Sequence, residues 1–184
     1  MSRDLQRRFA EGDVAAADLL RSEYDRQADQ WLTWTATQPD YLVPLVDALA
    51  RGETGTPEVV LEIGAGAGPA SDLLAARFPG RVIALDLAWK MLVRNRAPVQ
   101  RVQADVVALP MLDRCVDLVV AVNGVLRWSE VRRVLRPAGR VLVVSSFGSE
   151  TPLYTSLDQI MVAWSEADIR MAHAGHGDWL VVRA

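Results

Sequence analysis

The 184-residue chain has little of several things that would point elsewhere. Cys115 is its single cysteine, so no disulfide can form within the chain, and a reducing, cytoplasmic setting is expected. Lys90 is the only lysine; nearly all positive charge is arginine, a bias that accompanies GC-rich, bacterial genomes. The formal net charge of −3 gives the molecule as a whole no electrostatic case for nucleic acid or an anionic membrane. No apolar run approaches the roughly 18 residues of a membrane span, and the opening MSRDLQRRFAEGDVAAA is too charged for a secretory leader. Only two histidines are present, His173 and His176, and no residues gather in a metal-binding pattern. There is no internal repeat and no low-complexity tract.

What is present is a 51% hydrophobic chain, sufficient for one globular core. Asp13 is placed to cap a helix from Val14, with Val14, Ala17, Leu20, Tyr24, Ala28 and Trp31 recurring at helical spacing. A second helix is expected over Tyr41 to Ala50, and RGETGTP (Arg51 to Pro57) reads as a turn-rich linker. Residues 1–52 are thus expected to form a helical cap on a core of residues 57–184, within a single domain.

From Glu58 the pattern changes to strands alternating with helices. EVVLEIG, RVIALD (Arg81 to Asp86), VQRVQAD (Val99 to Asp105), CVDLVVAV (Cys115 to Val122) and RVLVVSSF (Arg140 to Phe147) read as five strands. SDLLAARF, AWKMLVRN and a short stretch from Ser129 to Leu135, stopped by Pro137 and Gly139, read as the helices between them. Strands this apolar predict an α/β fold: a Rossmann-like, doubly wound and mostly parallel sheet with helices on both faces. A helix over about Leu153 to Trp164 is expected to follow. IRMAHA and DWLVVRA around a Gly-His-Gly turn predict a closing antiparallel hairpin, Val181 and Val182 lying on an edge strand.

In such a sheet, ligands bind beyond the carboxyl ends of the strands where strand order reverses. Gly64, Gly66 and Gly68 follow the first strand, where glycine permits a tight turn and close approach of a ligand to the backbone. The dinucleotide fingerprint G-x-G-x-x-G/A fails here: its sixth position is Pro69 or Ser71, depending on register. Glu62 stands two residues before the first glycine, where a carboxylate repels a diphosphate and suits a cation. S-adenosylmethionine (SAM), with a sulfonium, an ammonium and no phosphate, fits this charge pattern better than NAD. Asp86 ends the second strand, where an acid accepts both ribose hydroxyls. Asp105 ends the third, placed to accept from an adenine amino group beside the Val106 amide. Asn123 ends the fourth, beside the expected cleft.

Read together, the motifs resemble a class I SAM-dependent methyltransferase of the small-molecule type, over Glu58 to Phe147. VLEIGAGAG resembles that family's first motif and ALDLAWKML its second; QADVVALPMLDRCVDLVVAVNGVLRW and RVLRPAGRVLVV resemble the later blocks. The resemblance implies Asp86 as the ribose acid, Leu87 and Met91 flanking adenine, and Glu62, Gly64, Ala65, Gly66, Asp105, Val106 and Asn123 around the cofactor. EYDRQADQW resembles a family helix whose tyrosine, here Tyr24, closes over the cofactor. The helix before LRP is shorter than in relatives, as is the stretch after the fifth strand. The fourth strand runs into VNGVLRW, without the Asn/Asp-Pro-Pro-aromatic motif of enzymes methylating DNA adenine or protein glutamine. The expected activity is methyl transfer from SAM to a small-molecule acceptor, by a soluble, cytoplasmic chain that could form a homodimer. The alternative is a SAM-binding domain with reduced catalysis, serving as a scaffold or partner subunit.

No catalytic side chain stands out. His173 or His176 could act as a base near neutral pH, though their glycine neighbours suit an exposed turn. Trp31 and Trp34 could line an acceptor pocket or pack in the core, and Trp128 could face the cleft or a helix. Asp117 reads as a structural acid, Cys115 as a small buried hydrophobe, and Arg132, Arg133 and Arg136 as a solvated helix face.

Overall fold

The computed structural model of the chain describes residues 3–165 and 167–184. Three helices come first: α1 (Arg3–Ala10), α2 (Val14–Ala36) and α3 (Val43–Ala50). They precede an alternating series: β1 (Val60–Ile63), α4 (Pro69–Arg77), β2 (Val82–Asp86), α5 (Trp89–Leu92), β3 (Gln100–Gln103), β4 (Val116–Val122), α6 (Trp128–Val134) and β5 (Leu135–Ser145). Then come α7 (Leu157–Ala163), β6 (Asp168–Ala174) and β7 (Gly177–Arg183).

The seven strands form one sheet in the order β3-β2-β1-β4-β5-β7-β6. The first five are parallel, and β7 joins β5 antiparallel with β6 outside it. The chain runs outward from β1 through β2 to β3, then returns to lay β4 on the other side of β1. That reversal leaves a crevice at the carboxyl ends of β1 and β4.

Side-chain alternation along the strands splits the core in two. Leu61, Ile63, Val119, Ala121, Val141 and Val143 face Phe9, Leu20, Val131 and Ile160 on one side. Val60, Leu118, Val120, Leu142 and Val144 face Leu45 and Leu74 on the other. A smaller cluster of Ala28, Ala67, Ala88 and Met91 seats α2 over the glycine turn and α5. Small side chains at that contact let the helix lie close to the loop.

Local chemistry explains most element starts. Asp13 caps α2, its carboxylate accepting from the Ala16 N–H at 3.1 Å. Ser156 and Gln159 form a reciprocal capping box at the start of α7. Pro44 sits in the first turn of α3, so Tyr41 and Leu42 form a turn ahead of the helix.

Several expectations change. Helix α1 was not foreseen, because a stretch rich in arginine offers few apolar positions; Phe9 nonetheless anchors it, 7% exposed. The apolar stripe of α2 holds at Leu20 and Ala28, but Val14 is 74% exposed. α5 is one turn long, and α7 starts four residues later than expected. The chain enters the sheet at Leu135 rather than Arg140: Val116 pairs with Leu135 and Leu118 with Arg140, the residues between making an irregular excursion with Ala138 at φ 62°. Val181 and Val182 are not on the edge strand. β7 lies inside the sheet with both valines fully buried, and β6 takes the edge. Consecutive apolar residues mark a strand covered on both faces. No helix among the described residues is long and apolar enough to cross a membrane.

Candidate cofactor and acceptor site

A cavity of about 110 Å³ opens at the crevice between β1 and β4, under α2. Its floor is Ile63, Gly64, Ala65 and Gly66; one flank is Leu85, Asp86, Leu87, Ala88, Met91, Ala104 and Val106. The other flank is Val122, Asn123, Gly124 and Val125. Tyr24, Trp31 and Trp34 from α2 cover it together with Tyr41 and Phe147, and Phe9, Leu20, Arg21, Pro152 and Leu153 close the far end.

The turn after β1 is held from inside. Gly64 and Ala65 donate their N–H groups to the Leu85 carbonyl at 2.8 and 3.0 Å, and Gly68 donates to Ala65. The Gly66 N–H donates to Asp86 Oδ2 at 2.8 Å. Gly66 needs a left-handed backbone at φ 56°, which side chains adopt only at a cost. Gly64 and Gly124 bring the two loops together: a Cβ on Gly64 would lie 3.5 Å from the Gly124 Cα.

Asp86 is half-buried at the end of β2. Oδ1 accepts from the Ala88 N–H at 2.7 Å, so its carboxylate ties the glycine turn to the next loop. Burial pushes its pKa up to about 6, against the pull of the Ala88 and Gly66 amides. Glu62 points to the α4 side of the sheet, 1% exposed. Its Oε2 accepts from Ser71 Oγ at 2.5 Å, and Ser71 accepts from Asn95 Nδ2 at 2.8 Å. Burial pushes Glu62 up to about 8, and the nearby Asp86 adds to the rise. Burial also raises the Tyr24 hydroxyl, with Asp86 contributing.

Asn123 takes a left-handed backbone, φ 53°, at the end of β4. Its Oδ1 accepts from the Ser146 N–H and its Nδ2 donates to Ser146 Oγ, both at 2.8 Å. Ser146 Oγ in turn donates to the Tyr41 carbonyl at 2.6 Å. These bonds fix the loops after β4 and β5 to the turn before α3.

Glu62, Gly64, Ala65, Gly66, Asp86, Leu87, Met91, Val106, Asn123 and Tyr24 all line this one cavity. Asp105 does not: it lies outside the lining, and its carboxylate accepts from the Val107 N–H at 3.0 Å, closing its own turn. Trp31 and Trp34 line the cavity. Trp128 stacks edge-on against Trp164 at 6.4 Å, away from it.

The histidines lie at the hairpin, His173 bonded to Asp178 at 2.9 Å and His176 facing Asp40 at 2.8 Å. Asp117 accepts from the Glu58 and Val59 amides and pairs with Arg136 at 2.8 Å, a structural tie. The arginines of α6 and of the start of β5 are not simply solvated. Arg133 holds the Leu109 and Met111 carbonyls and pairs with Asp113 and Glu130. Arg132 lies over the Trp164 ring, 4.8 Å from its centroid.

Sequence reasoning missed Tyr41, Phe147, Phe9, Arg21 and Leu153 as lining residues. Gly124 carried a signal, since Asn-Gly after a strand marks a turn with positive φ. Phe147 and Leu153 belong to segments whose approach depends on long-range packing.

The committed amides of the turn leave little for a diphosphate, which binds in dinucleotide enzymes through free N–H groups at this place. Asp86 on the wall favours a ligand with hydroxyl donors and positive charge. These residues fit SAM.

The sequence pattern of the methyltransferase domain family matches residues 61–144. A malonyl-acyl-carrier-protein O-methyltransferase of Xylella fastidiosa is 32% identical over 164 residues, covering 81% of this chain and 53% of the relative. Its namesake in Methylococcus capsulatus is 39% identical over 127 residues, covering 61% of this chain and 44% of the relative. The chain therefore spans about half the length of these curated relatives. In fold it is similar to a chain in the complex between the Haloferax volcanii Trm112 methyltransferase activator and a methyltransferase. The TM-score is 0.72 at 17% identity, over 88% of this chain and 97% of that one.

Proposed function

Residues 61–144 belong to the methyltransferase domain family, in a chain folded as a class I methyltransferase, and from that premise we propose that the protein binds SAM in this cavity and passes its methyl group to a small-molecule acceptor. The observation that carries the reading is the pairing of Asp86 with a glycine turn whose amides are already committed. A wall of that kind suits a phosphate-free nucleoside that carries positive charge.

When bound, SAM supplies a methyl group on a sulfonium, which needs alignment with a nucleophile rather than further activation. Asp86 retains acceptor capacity on both oxygens beyond the bonds to Gly66 and Ala88, and offers it to the ribose hydroxyls. Leu87, Ala88, Met91 and Val106 enclose the base. Glu62 and Tyr24 stand on the amino-acid side of the turn, and Asn123 faces the acceptor from the end of β4. Alignment in such a walled site contributes several kcal/mol of barrier lowering. The relatives named above act, by their names, on a malonyl group, which supports an oxygen nucleophile on the acceptor.

Titration calorimetry tests the cofactor half: SAM should bind the purified chain with micromolar affinity, and NAD should not. Mass spectrometry of acceptor mixtures incubated with SAM carrying a labelled methyl group tests the transfer half. An absence of SAM binding would overturn the reading.

A further inference from the structure

Tyr41 is buried and lines the cavity from the turn before α3. Its ring is held edge-on by Trp34 at 5.9 Å and by Phe147 at 6.2 Å between centroids. Its carbonyl accepts from Ser146 Oγ at 2.6 Å. Backbone and ring are thus fixed by separate contacts, and together they fix where the hydroxyl lies. Asn123 sets the direction of that hydroxyl. Burial raises the pKa of Tyr41, and a hydrogen bond with the Asn123 side chain pulls it back down, the sense expected of a donor. Asn123 Oδ1 is taken by the Ser146 N–H and one Nδ2 hydrogen by Ser146 Oγ, which leaves the other Nδ2 hydrogen for the phenol oxygen. An oxygen that accepts from Asn123 turns its own proton elsewhere. Among the described residues the Tyr41 hydroxyl has no acceptor; Glu62, whose charge also bears on it, has its Oε2 held by Ser71. A buried donor without an acceptor is costly, and a ligand atom removes the cost.

Sheet order says which ligand this donor meets. Asp86 ends β2, Asn123 ends β4, and β1 runs between them. Neighbouring strands are roughly 4.8 Å apart, so these two ends are separated by about 10 Å. With the nucleoside at Asp86, the Asn123–Tyr41 pair faces the other party to the transfer. No base stands there. Besides Tyr41, the ionisable residues of the lining are Arg21, Tyr24, Glu62 and Asp86. Arg21 pairs with Asp18, and Asp86 accepts from the Gly66 and Ala88 amides at the nucleoside end. Burial keeps the proton on Glu62, with a pKa of about 8, and on Tyr24. His176 bonds Asp40, next to Tyr41 in the chain, but its side chain is exposed and lies outside the lining.

Resting on the cofactor reading above, we propose that Tyr41 is a specificity residue of the acceptor subsite: its hydroxyl, aimed by Asn123, donates to an oxygen of a carboxylate, and the acceptor is a carboxylic acid on an apolar body. A carboxylate is ionised at neutral pH and requires no base. One of its oxygens accepts from Tyr41 in a charge-assisted hydrogen bond, and the other attacks the methyl carbon. The bond from sulfonium sulfur to methyl carbon breaks, its electron pair stays on sulfur, and the new oxygen–carbon bond makes a methyl ester. No proton is released. Trp34, Phe147 and Leu153 supply the apolar contacts to the body of the acid. Asn123 acts through Tyr41 and is a positioning residue.

Sinefungin keeps the positive charge of SAM and has no methyl group to transfer. Calorimetry of the sinefungin-loaded chain with hexanoate, 1-hexanol and hexylamine compares head groups on one apolar body. Hexanoate should bind about tenfold more tightly than either of the others. Tyr41→Phe should weaken hexanoate about fivefold and leave hexanol and SAM within about twofold. Asn123→Gly keeps the left-handed backbone and should lose the same preference, with the double variant losing no more than either alone. Absence of a preference for hexanoate, a Tyr41→Phe chain that keeps the preference, or a loss of SAM affinity in that variant equal to the loss of hexanoate would overturn the inference while leaving the cofactor reading standing. Failure of both SAM and sinefungin to bind the unmodified chain would sink the two together. The comparison of head groups needs no substitution, so it decides the matter even where a variant does not fold.

Discussion

The two ends of the sheet handle polar groups in opposite ways. At the crevice between β1 and β4, two carboxyl groups sit in apolar surroundings with raised pKa values, and Gly66 and Asn123 hold left-handed backbone. At the hairpin end, charged and polar side chains are paired off. Trp179 Nε1 donates to Asp47 Oδ2 at 2.7 Å, Arg183 pairs with Glu53 at 2.6 Å, and both histidines face carboxylates. Polar groups at the hairpin knit the sheet to α3 and the linker after it. At the crevice, Asp86 keeps acceptor capacity beside the cavity while Glu62 is buried against Ser71, at a cost in stability that the surrounding core offsets.

Substitutions at each end should therefore fail in different assays. Trp179→Ala removes a side chain that is 2% exposed and takes from Asp47 one of its two partners, leaving Arg51, and should cost about 3–5 kcal/mol in denaturant unfolding. Its affinity for SAM, measured well below the unfolding midpoint, should not move. Gly66→Val puts a β-branched residue at positive φ and aims it at Trp31; SAM affinity should drop about 100-fold or more by calorimetry, with the fold retained by circular dichroism. Asp86→Ala should cost about 1–3 kcal/mol of SAM binding, and an affinity equal to the unmodified chain would remove Asp86 from the ribose role.

The pH response sharpens the contrast further. Glu62 keeps its proton in the folded chain up to about 8, whereas the unfolded chain releases it near 4.5. The folded state is favoured most below the lower value, and that advantage is lost as pH rises toward the upper one. Asp86 acts in the same sense over a lower and narrower window, from 3.8 to about 6. Thermal midpoints should fall between pH 5 and 8, and Glu62→Gln should flatten the decline above pH 6. The smallest effect is expected at the rim of the hairpin, where His173→Ala should stay within about 0.5 kcal/mol in stability and leave methyl transfer unchanged.

Much of this was legible in the residues because strand ends and glycine turns are local. VLEIGAGAG and the acid ending RVIALD put Glu62, Gly66 and Asp86 at one crevice through a parallel pairing that apolar runs announce. The nucleoside side of the cavity follows directly. The acceptor side was harder, since Tyr41, Phe147 and Leu153 reach it through contacts between segments far apart in the chain. No periodicity encodes where α2 crosses the sheet; that depends on Ala28, Ala67 and Ala88 fitting together, and on Asp25 accepting from the Lys90 N–H at 2.8 Å. Asp105 shows the limit of reading an acid at a strand end as a ligand contact, because the same carboxylate can serve its own turn. The valines of β7 show another: consecutive apolar residues, rather than alternation, mark a strand whose two faces are both covered.

Strand β6 ends the sheet, and it carries Asp168, Arg170 and His173 along a mostly exposed length. Unpaired backbone on such a margin invites a neighbouring chain to continue the ladder. Charged side chains of both signs there make lateral stitching between molecules costly, so the outermost strand works as a selvedge that keeps a seven-stranded sheet from growing an eighth.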